Sequence, residues 1–406
     1  MDLAVTYLKK RFENPFVLAS GPPTANADMI ARAFEAGWAG AVIKTLILEP
    51  VRNLHNRFAS LRAGPEIIGF ENIELLSERS PDAWFRDIRR LKSGFPGKQV
   101  IGSIMGDALH PGPWLELALG CQDAGCDLVE LNFSCPHGCP EKGGGAVIGQ
   151  NADYAGTIMA WLRNERRLTV PLIPKLTAAT ADIAGIGRAV AAAGADGLCA
   201  INTFPSIMGV DLQTLLPRPA VAGRTAAGGY SGPGLKPIAL RCVSDLVKQP
   251  GLPVMACGGV SSGMDAAEFI LLGAPIVQVC TAVMLNGYAL LERMKTELRE
   301  FMGAHGFAAP GDFLGRANRC VGAFSELDPA YRVTGVVDEA KCNGCGLCAV
   351  SCRDAASQAI AMAGRLARID AGKCCGCSLC AQVCPPQAIK MVRADRPPAG
   401  VRQSPP

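Results

Sequence analysis

The stretch LIPKLTAATADIAGIGRAVAAAGADGLCAINT, residues 172–203, contains two short apolar runs separated by a segment of helix length. The runs Leu172–Thr177 and Gly197–Thr203 are typical of buried parallel strands, which read as continuous apolar sequence. Between them, Asp182–Ala193 has a helix pattern, and Gly194 follows as a helix stop. The stretch predicts a strand, helix and strand in succession, which places the two strands parallel in one sheet.

The same alternation runs through residues 1–310, and eight strands are predicted in all. This number favours a closed (β/α)8 TIM barrel, an α/β fold. A doubly wound open sheet is the alternative, but it requires a glycine-rich dinucleotide fingerprint after its first strand, and none is present there. The predicted strands are Phe16–Ser20, Gly40–Thr45, Val100–Met105, Leu128–Ser134, Leu172–Thr177, Gly197–Thr203, Val254–Gly259 and Ile276–Ala282. The predicted helices include Ala27–Ala36, Trp84–Lys92, Pro113–Ala124, Asn151–Arg163, Asp182–Ala193, Pro237–Val247 and Met264–Leu272.

Composition and charge narrow the class of protein. A chain of 406 residues that is 49% hydrophobic can bury a large core, which excludes global disorder. The net charge of +4 is spread thinly and predicts no nucleic-acid surface. The opening residues MDLAVTYLKKRF contain no apolar core of signal-peptide length, so we expect a cytoplasmic protein. The uncharged run Phe269–Leu291 is long enough to cross a membrane, but Gly273-Ala274-Pro275 interrupts it. A helix end, a turn and a buried strand are expected there instead.

The composition changes near residue 310, where we expect the barrel to end. The predicted organisation is a barrel over residues 1–310, a linker over 311–336, and a ferredoxin-like domain over 337–392. Residues 393–406 are rich in arginine and proline and are predicted to form a disordered tail.

Eight of the 18 cysteines lie in two runs that share one spacing, C-x2-C-x2-C-x3-C. This spacing is typical of two-cluster ferredoxins, in which the fourth cysteine of each run binds the cluster of the other run. We therefore predict two [4Fe–4S] clusters. One would be bound by Cys342, Cys345, Cys348 and Cys384, and the other by Cys374, Cys377, Cys380 and Cys352.

A pair of zinc sites is the alternative for these cysteines, because zinc also binds four thiolates. The doubled run favours iron–sulfur clusters. Cys375 adjoins Cys374 and is predicted not to be a ligand, since only Cys374 keeps the spacing. Arg353 stands where the ferredoxin pattern has proline, and we expect it to alter the loop without changing the ligands.

Polar and glycine residues stand where the predicted strands end, which is where barrel enzymes carry their function. Lys44 and Lys175 each end an apolar strand, and a buried charge needs a partner. The backbone of Gly258-Gly259 is open to a phosphate, which loops after the seventh and eighth strands often bind. FMN, with one phosphate and a polar ring edge, fits these residues, although the glycines could instead form plain turns. The strand-end residues are Ala19, Ser20, Lys44, Thr45, Asn132, Lys175, Asn202, Thr203, Gly258, Gly259 and Thr281.

The segment Asn132–Gly138, NFSCPHG, follows the fourth strand. Most lone cysteines are small buried hydrophobic residues, but Cys135 follows a strand end among polar neighbours and is placed for proton transfer. Cys135, His137 and Cys139 could instead bind a metal, although their spacing is unusual for one. The glycines at 143–145 predict a loop that closes over a substrate.

These motifs together resemble the dihydropyrimidine dehydrogenase family over nearly the whole chain. Asn132–Gly138 is similar to its active-site loop, and Gly69–Leu75, GFENIEL, to its substrate segment. Asn202-Thr203 resembles its second substrate pair, and Tyr230–Leu240, YSGPGLKPIAL, its flavin-side loop. The cysteine-rich domain is also typical of the family, and the resemblance implies an NAD-dependent oxidoreductase that acts on pyrimidines.

The resemblance also implies a role for individual residues. Cys135 would give a proton to C5 of uracil or thymine while FMN gives a hydride to C6, reversibly, and Ser134 and His137 would assist. The pyrimidine would be bound by Asn72, Glu74, Asn132, Asn202 and Thr203. FMN would be bound by Ala19, Ser20, Lys44, Thr45, Lys175, Ser231, Gly232, Gly258, Gly259, Cys280 and Thr281.

We find no second flavin or nicotinamide fingerprint in the sequence. A partner subunit that carries FAD and binds NAD(P)H is therefore expected to pass electrons through both clusters to FMN. A dihydroorotate dehydrogenase is one alternative, since it resembles the barrel, the cysteine loop and Lys44–Pro50. It lacks a fused cluster domain, however, and Glu74 would repel a substrate carboxylate. An electron-transfer module is the other alternative, but it would not need Cys135.

Overall fold

The structure is a computed structural model that describes residues 1–135 and 145–394. The chain forms two compact units that divide after Val321. His137 and Cys139 lie outside the described residues, as does the predicted tail after Ala394.

The first unit is built around a closed barrel of eight parallel strands, as the sequence predicts. Each strand pairs with the next in chain order, and β6 pairs with β5 on one side and β7 on the other. The ring closes where β8 pairs with β1. The strands are β1 (Phe16–Leu18), β2 (Gly40–Val42), β3 (Gln99–Ile104), β4 (Leu128–Asn132), β5 (Leu172–Leu176), β6 (Leu198–Ala200), β7 (Val254–Cys257) and β8 (Ile276–Val279).

Eight helices follow the strands and cover the barrel. Five of them begin at a side chain that accepts a backbone hydrogen bond, namely Asn26, Ser80, Asn151, Asp182 and Ser262. The helices are α1 (Ala27–Glu35), α2 (Pro81–Gly94), α3 (Pro111–Asp123), α4 (Ala152–Asn164), α5 (Ile183–Ala192), α6 (Lys236–Lys248), α7 (Gly263–Leu271) and α8 (Leu290–His305). Shorter helical segments are Pro22–Thr24, Ala146–Gly149, Pro233–Leu235, Thr281–Asn286, Pro310–Asp312 and Asn318–Cys320.

An antiparallel hairpin, Val5–Tyr7 with Lys10–Phe12, packs against the interior of the barrel at the amino ends of its strands. The side chain of Tyr7 is buried, and its hydroxyl donates to the carbonyl oxygens of Leu198 (3.3 Å) and Pro253 (3.2 Å). The hairpin therefore closes the end of the barrel opposite the predicted site.

A four-stranded antiparallel sheet is inserted into the barrel unit, and sequence analysis did not predict it. Its strands occur in the order Phe204–Ser206, Gly228–Ser231, Glu66–Asn72 and Phe58–Ala63. These segments are half-exposed and short or glycine-containing, so they lack the continuous apolar sequence of the barrel strands. A further two-stranded ribbon pairs Val210–Asp211 with Leu216–Pro217.

The apolar run Phe269–Leu291 has the structure that was expected of it. It contains the end of α7, the strand β8 and the short helix Thr281–Asn286. Across residues 1–135 and 145–394, no helix combines the length and the apolar character needed to cross a membrane.

The second unit is small and contains two antiparallel strand pairs. Val333–Val337 pairs with Ile389–Arg393, and Ile360–Ala363 pairs with Leu366–Ile369. The helices Leu347–Ala355 and Leu379–Gln382 each begin within one of the cysteine runs, and a short turn of helix spans Phe324–Glu326. Cys348 and Cys380 contribute to its small core.

Replacing Tyr7 with phenylalanine should destabilise the barrel. The substitution leaves the two carbonyl oxygens at the closed end without the hydroxyl donor, which should cost about 1–2 kcal/mol in the free energy of unfolding. Urea denaturation measures this change, and Tyr154→Phe, the same substitution at an exposed position of α4, is the matched control. Equal stability of the two variants would contradict a role for this hydroxyl.

Candidate active site

The predicted strand-end residues of β2, β4 and β6 form a connected polar network. Asn132 Nδ2 donates to Thr45 Oγ1 at 3.1 Å, and Asn202 Nδ2 donates to Ser134 Oγ at 3.1 Å. Asn132 Oδ1 accepts from the backbone N–H of Ser134 at 3.2 Å and from Asn202 Nδ2 at 3.4 Å. The barrel therefore brings Asn132, Ser134 and Asn202 together, although Asn202 is 70 residues from Asn132 along the chain.

The hydroxyl of Thr45 extends this network towards β1 and β3. It lies 3.1 Å from Ser20 Oγ and 2.9 Å from Ser103 Oγ. Ser103 is completely buried near the end of β3 and was not predicted, although a serine inside an apolar strand is a visible signal. Ala19 lies beside Ser20 and is buried, with its N–H donating to Val279 at 2.9 Å.

A cavity of about 670 Å³ lies beside the network. This volume is within the range that holds cofactors and drug-sized ligands. Of the predicted site residues that the structure describes, nine line it: Asn72, Asn202, Thr203, Ser231, Gly232, Gly258, Gly259, Cys280 and Thr281.

The Gly258-Gly259 turn has a conformation that favours glycine, with φ of +127° and +76°. A Cβ atom at Gly259 would lie 2.5 Å from the backbone nitrogen of Lys236, so the turn packs directly on the first residue of α6. On the same cavity, Thr281 Oγ1 donates to Ser231 Oγ at 2.8 Å. The glycine turn and the hydroxyl groups of Thr281 and Ser231 line the same cavity and are suited to an oxyanion, because hydroxyls and backbone N–H groups can donate to one.

Lys44 and Glu74, predicted to bind different ligands, form an ion pair. Lys44 Nζ lies 2.7 Å from Glu74 Oε2, and both side chains are largely buried. Arg57, which sequence analysis did not identify, donates from Nε to Glu74 Oε1 at 3.2 Å. Asn72 is joined to the same segment, since its Oδ1 accepts from the Glu74 N–H at 3.3 Å. The negative charge of Glu74 is thus balanced by two cations.

Lys175 is buried and pairs with two residues that sequence analysis also missed. Its Nζ donates to Gln278 Oε1 at 2.9 Å and lies 3.4 Å from Glu130 Oε1. Both partners are polar residues within apolar strands, β8 and β4. Gln278 also lines the cavity, which connects this group to it.

Cys135 lies directly after the polar network, and 7% of its surface is exposed. Its carbonyl oxygen accepts a 2.9 Å hydrogen bond from the N–H of Ala146, at the start of the short helix Ala146–Gly149. The segment 136–144, with His137, lies outside the described residues. A second thiol, Cys280, faces the cavity, and burial together with the nearby Cys257 raises its pKa to about 12.

The eight cysteines of the two runs line two separate small cavities in the second unit. Each cavity is lined by three cysteines of one run and the fourth cysteine of the other run. The first cavity is lined by Cys342, Cys345, Cys348 and Cys384, and the second by Cys352, Cys374, Cys377 and Cys380. Cys375 also borders the second cavity. In the described part of the chain, no group of three or more His, Cys, Asp or Glu side chains is arranged to hold a single metal ion.

Comparison with known families agrees with both units. Residues 2–302 match the dihydroorotate dehydrogenase family model, and residues 335–391 match a 4Fe-4S dicluster domain. The second match supports iron–sulfur clusters over zinc, and the first implies a flavin. The barrel residues fit a flavin, because a cavity of suitable volume combines a glycine turn, hydroxyl groups and a buried lysine nearby.

Similarity to individual proteins identifies the family more specifically. The chain is 38% identical over 330 residues to the chloroplastic dihydropyrimidine dehydrogenase (NADP(+)) of Arabidopsis thaliana, across 78% of this chain and 77% of that protein. It is 36% identical over 363 residues to the NAD-dependent dihydropyrimidine dehydrogenase subunit PreA of Escherichia coli K12, across 88% and 87%. The catalytic subunit of dihydroorotate dehydrogenase B (NAD(+)) from Pyrococcus furiosus is 33% identical over 323 residues, across 79% and 100%. The chain is therefore an oxidoreductase of the dihydropyrimidine dehydrogenase family, with a dihydroorotate dehydrogenase-type barrel and a 4Fe-4S dicluster domain.

Proposed function

We propose that this chain reduces the C5=C6 bond of uracil or thymine to the 5,6-dihydropyrimidine, and that the reaction is reversible. The observation that carries the proposal is the pair of asparagine side chains, Asn132 and Asn202, joined through Ser134 next to Cys135. Of these residues Asn202 lines the cavity, and amide side chains there, with a thiol in the adjoining segment, suit a planar ring that needs both hydrogen bonds and a proton.

The asparagines are suited to the edge of a pyrimidine dione. Such a ring offers carbonyl oxygens that accept and N–H groups that donate, and each asparagine amide carries both a donor and an acceptor. Asn72 and Thr203 line the cavity with Asn202, so they can complete the ring's hydrogen bonds. Asn132 and Asn202 bond to each other, and a bound ring would replace that contact.

Reduction of the double bond requires a hydride on one carbon and a proton on the other. When bound, FMN supplies the hydride to C6. The thiol of Cys135 gives the proton to C5, as a general acid placed at the end of the polar network. The hydrogen bonds of Ser134 to Asn132 fix the backbone immediately before Cys135 and so orient it. His137 is proposed to assist from the loop.

The cluster domain implies that electrons come from outside the barrel. We propose that a partner subunit carrying FAD binds NAD(P)H, and that the two clusters of this chain carry its electrons to FMN. The name of the E. coli relative supports this arrangement, since that protein is one subunit of an NAD-dependent enzyme.

Dihydroorotate oxidation is the second candidate, and one observation favours it. Lys44 and Arg57 surround Glu74, so this group carries one net positive charge and would tolerate a substrate carboxylate better than Glu74 alone. The cluster domain favours the pyrimidine reaction. The P. furiosus dihydroorotate relative aligns over its whole length with only 79% of this chain, so it is shorter and leaves about a fifth of this chain unmatched.

Cys135→Ala should abolish most pyrimidine reduction while leaving the flavin bound. Loss of a general acid costs about 10²–10⁴-fold in kcat. Turnover of uracil with a reduced viologen dye as electron donor measures this, together with the flavin content. The matched control is Cys320→Ala at an exposed cysteine, which should keep full activity. Full activity in Cys135→Ala would remove the proposed acid. Reduction of the bound flavin by the dye without any uracil turnover in the wild type would indicate an electron-transfer module.

Cys384→Ser should remove one cluster and spare the other. Serine replaces a soft thiolate with a hard oxygen, and Cys384 lines the cavity of Cys342, Cys345 and Cys348. Cys384 would bind only the cluster of the first cysteine run, so the iron content should fall by about half. Cys375→Ser is the control and should retain all the iron. If Cys384→Ser keeps its iron while Cys375→Ser loses it, the ligand assignment is wrong.

A further inference from the structure

Three polar side chains lie inside the barrel next to the cavity, and the proposed chemistry uses only one of them. Glu130, Lys175 and Gln278 are 1%, 4% and 1% exposed, on β4, β5 and β8. Burying charged groups at this depth is costly unless each one is paired. Their arrangement therefore needs a reason beyond packing.

The three side chains form a closed group. Gln278 uses both ends of its amide: Oε1 accepts from Lys175 Nζ at 2.9 Å, and Nε2 donates to Glu130 Oε2 at 2.8 Å. The other carboxylate oxygen, Glu130 Oε1, lies 3.4 Å from Lys175 Nζ as an ion pair and has no hydrogen-bond partner among the described residues. Glu130 and Gln278 thus hold the ammonium group from two sides.

Glu130 is the counterion of Lys175. The other titratable groups around this pair are Cys199, Cys257, Cys280 and Tyr7. Burial raises the pKa of each of them, so they are neutral over the ordinary pH range. Burial is the largest single influence on the pKa of Lys175 and lowers it, but Glu130, with smaller contributions from Cys257 and Cys199, more than offsets burial, so the net pKa is raised above the usual value.

We propose that Glu130 is a positioning residue that keeps Lys175 charged and, with Gln278, directs it towards the flavin. This inference rests on the proposed function, since it takes Lys175 to be a flavin ligand. A cation held at this place stabilises the negative charge that develops on the flavin when it is reduced. Gln278 lines the cavity and is hydrogen-bonded to Lys175, so it connects Lys175 to the cavity.

The inference predicts how the potential of the bound flavin depends on pH. With Glu130 present, Lys175 stays protonated from neutral pH to about pH 10, so its titration adds no break to the plot of potential against pH. In Glu130→Gln, desolvation acts without the carboxylate, and the pKa of Lys175 falls into this range. Above that pKa the lysine is neutral in the oxidised enzyme, and reduction draws a proton to it. The plot of the flavin potential against pH should therefore show an additional break, above which the potential falls more steeply as the pH rises.

The experiment is a spectroscopic redox titration of the full-length protein with its flavin bound, at a series of pH values. Wild type, Glu130→Gln and Glu130→Asp are compared, because aspartate keeps the charge and should show no new break in this range. A Glu130→Gln profile identical to wild type would overturn the inference. If wild type itself holds no flavin, the proposed function fails instead, which separates the two outcomes.

A second measurement decides the case in which Glu130→Gln does not fold or does not retain flavin. The double variant Glu130→Gln/Lys175→Met removes both charges. A broken buried pair is much more costly than a pair replaced by neutral groups, so the double variant should regain a higher melting temperature than Glu130→Gln. No recovery would mean that Glu130 does not act through Lys175, and the inference would be overturned.

Discussion

Closure of a parallel barrel is the constraint on which the rest of this structure depends. An edge strand leaves a row of backbone N–H and C=O groups unpaired, and pairing of β8 with β1 removes both edges from this sheet. The same closure gathers all eight carboxyl ends at one rim. Asn132 and Asn202, far apart in sequence, come within hydrogen-bond distance of each other only because β4 and β6 end at that rim.

The two ends of the barrel are covered by different structures. At the amino end, the hairpin with Tyr7 fills the opening, and the Tyr7 hydroxyl donates to the carbonyl oxygens of Leu198 and Pro253, which stabilises that end. At the carboxyl end, the inserted antiparallel sheet brings Asn72 and Ser231 to the cavity. The charged groups there are paired, with Glu74 between Lys44 and Arg57, and Lys175 between Glu130 and Gln278. A barrel that is closed at its amino end and has paired polar groups at its carboxyl end suits a site that must hold both a cofactor and a substrate.

The barrel could be predicted because buried parallel strands carry an unmistakable apolar sequence, and the clusters because the cysteine spacing has one main use. The inserted sheet could not, since Phe58–Ala63 and Gly228–Ser231 have neither an apolar run nor a clear alternation. Sequence analysis missed Glu130 and Gln278, because each is a single polar residue within an apolar strand and their contact joins residues 148 apart. Only the order of strands around the barrel reveals such a pair. His137 lies outside the described residues, and its role stays a prediction from the sequence.

The central claim is that the site binds a neutral pyrimidine ring and exchanges electrons between it and a flavin. It is tested most directly by purifying the protein without oxygen and adding dihydrouracil, then dihydroorotate, to separate samples while recording the flavin absorbance. The account predicts that dihydrouracil alone bleaches the flavin, because the paired asparagines suit its ring and Cys135 can take up the proton from C5. Bleaching by dihydroorotate alone would contradict the account and assign the group of Lys44, Arg57 and Glu74 to a substrate carboxylate.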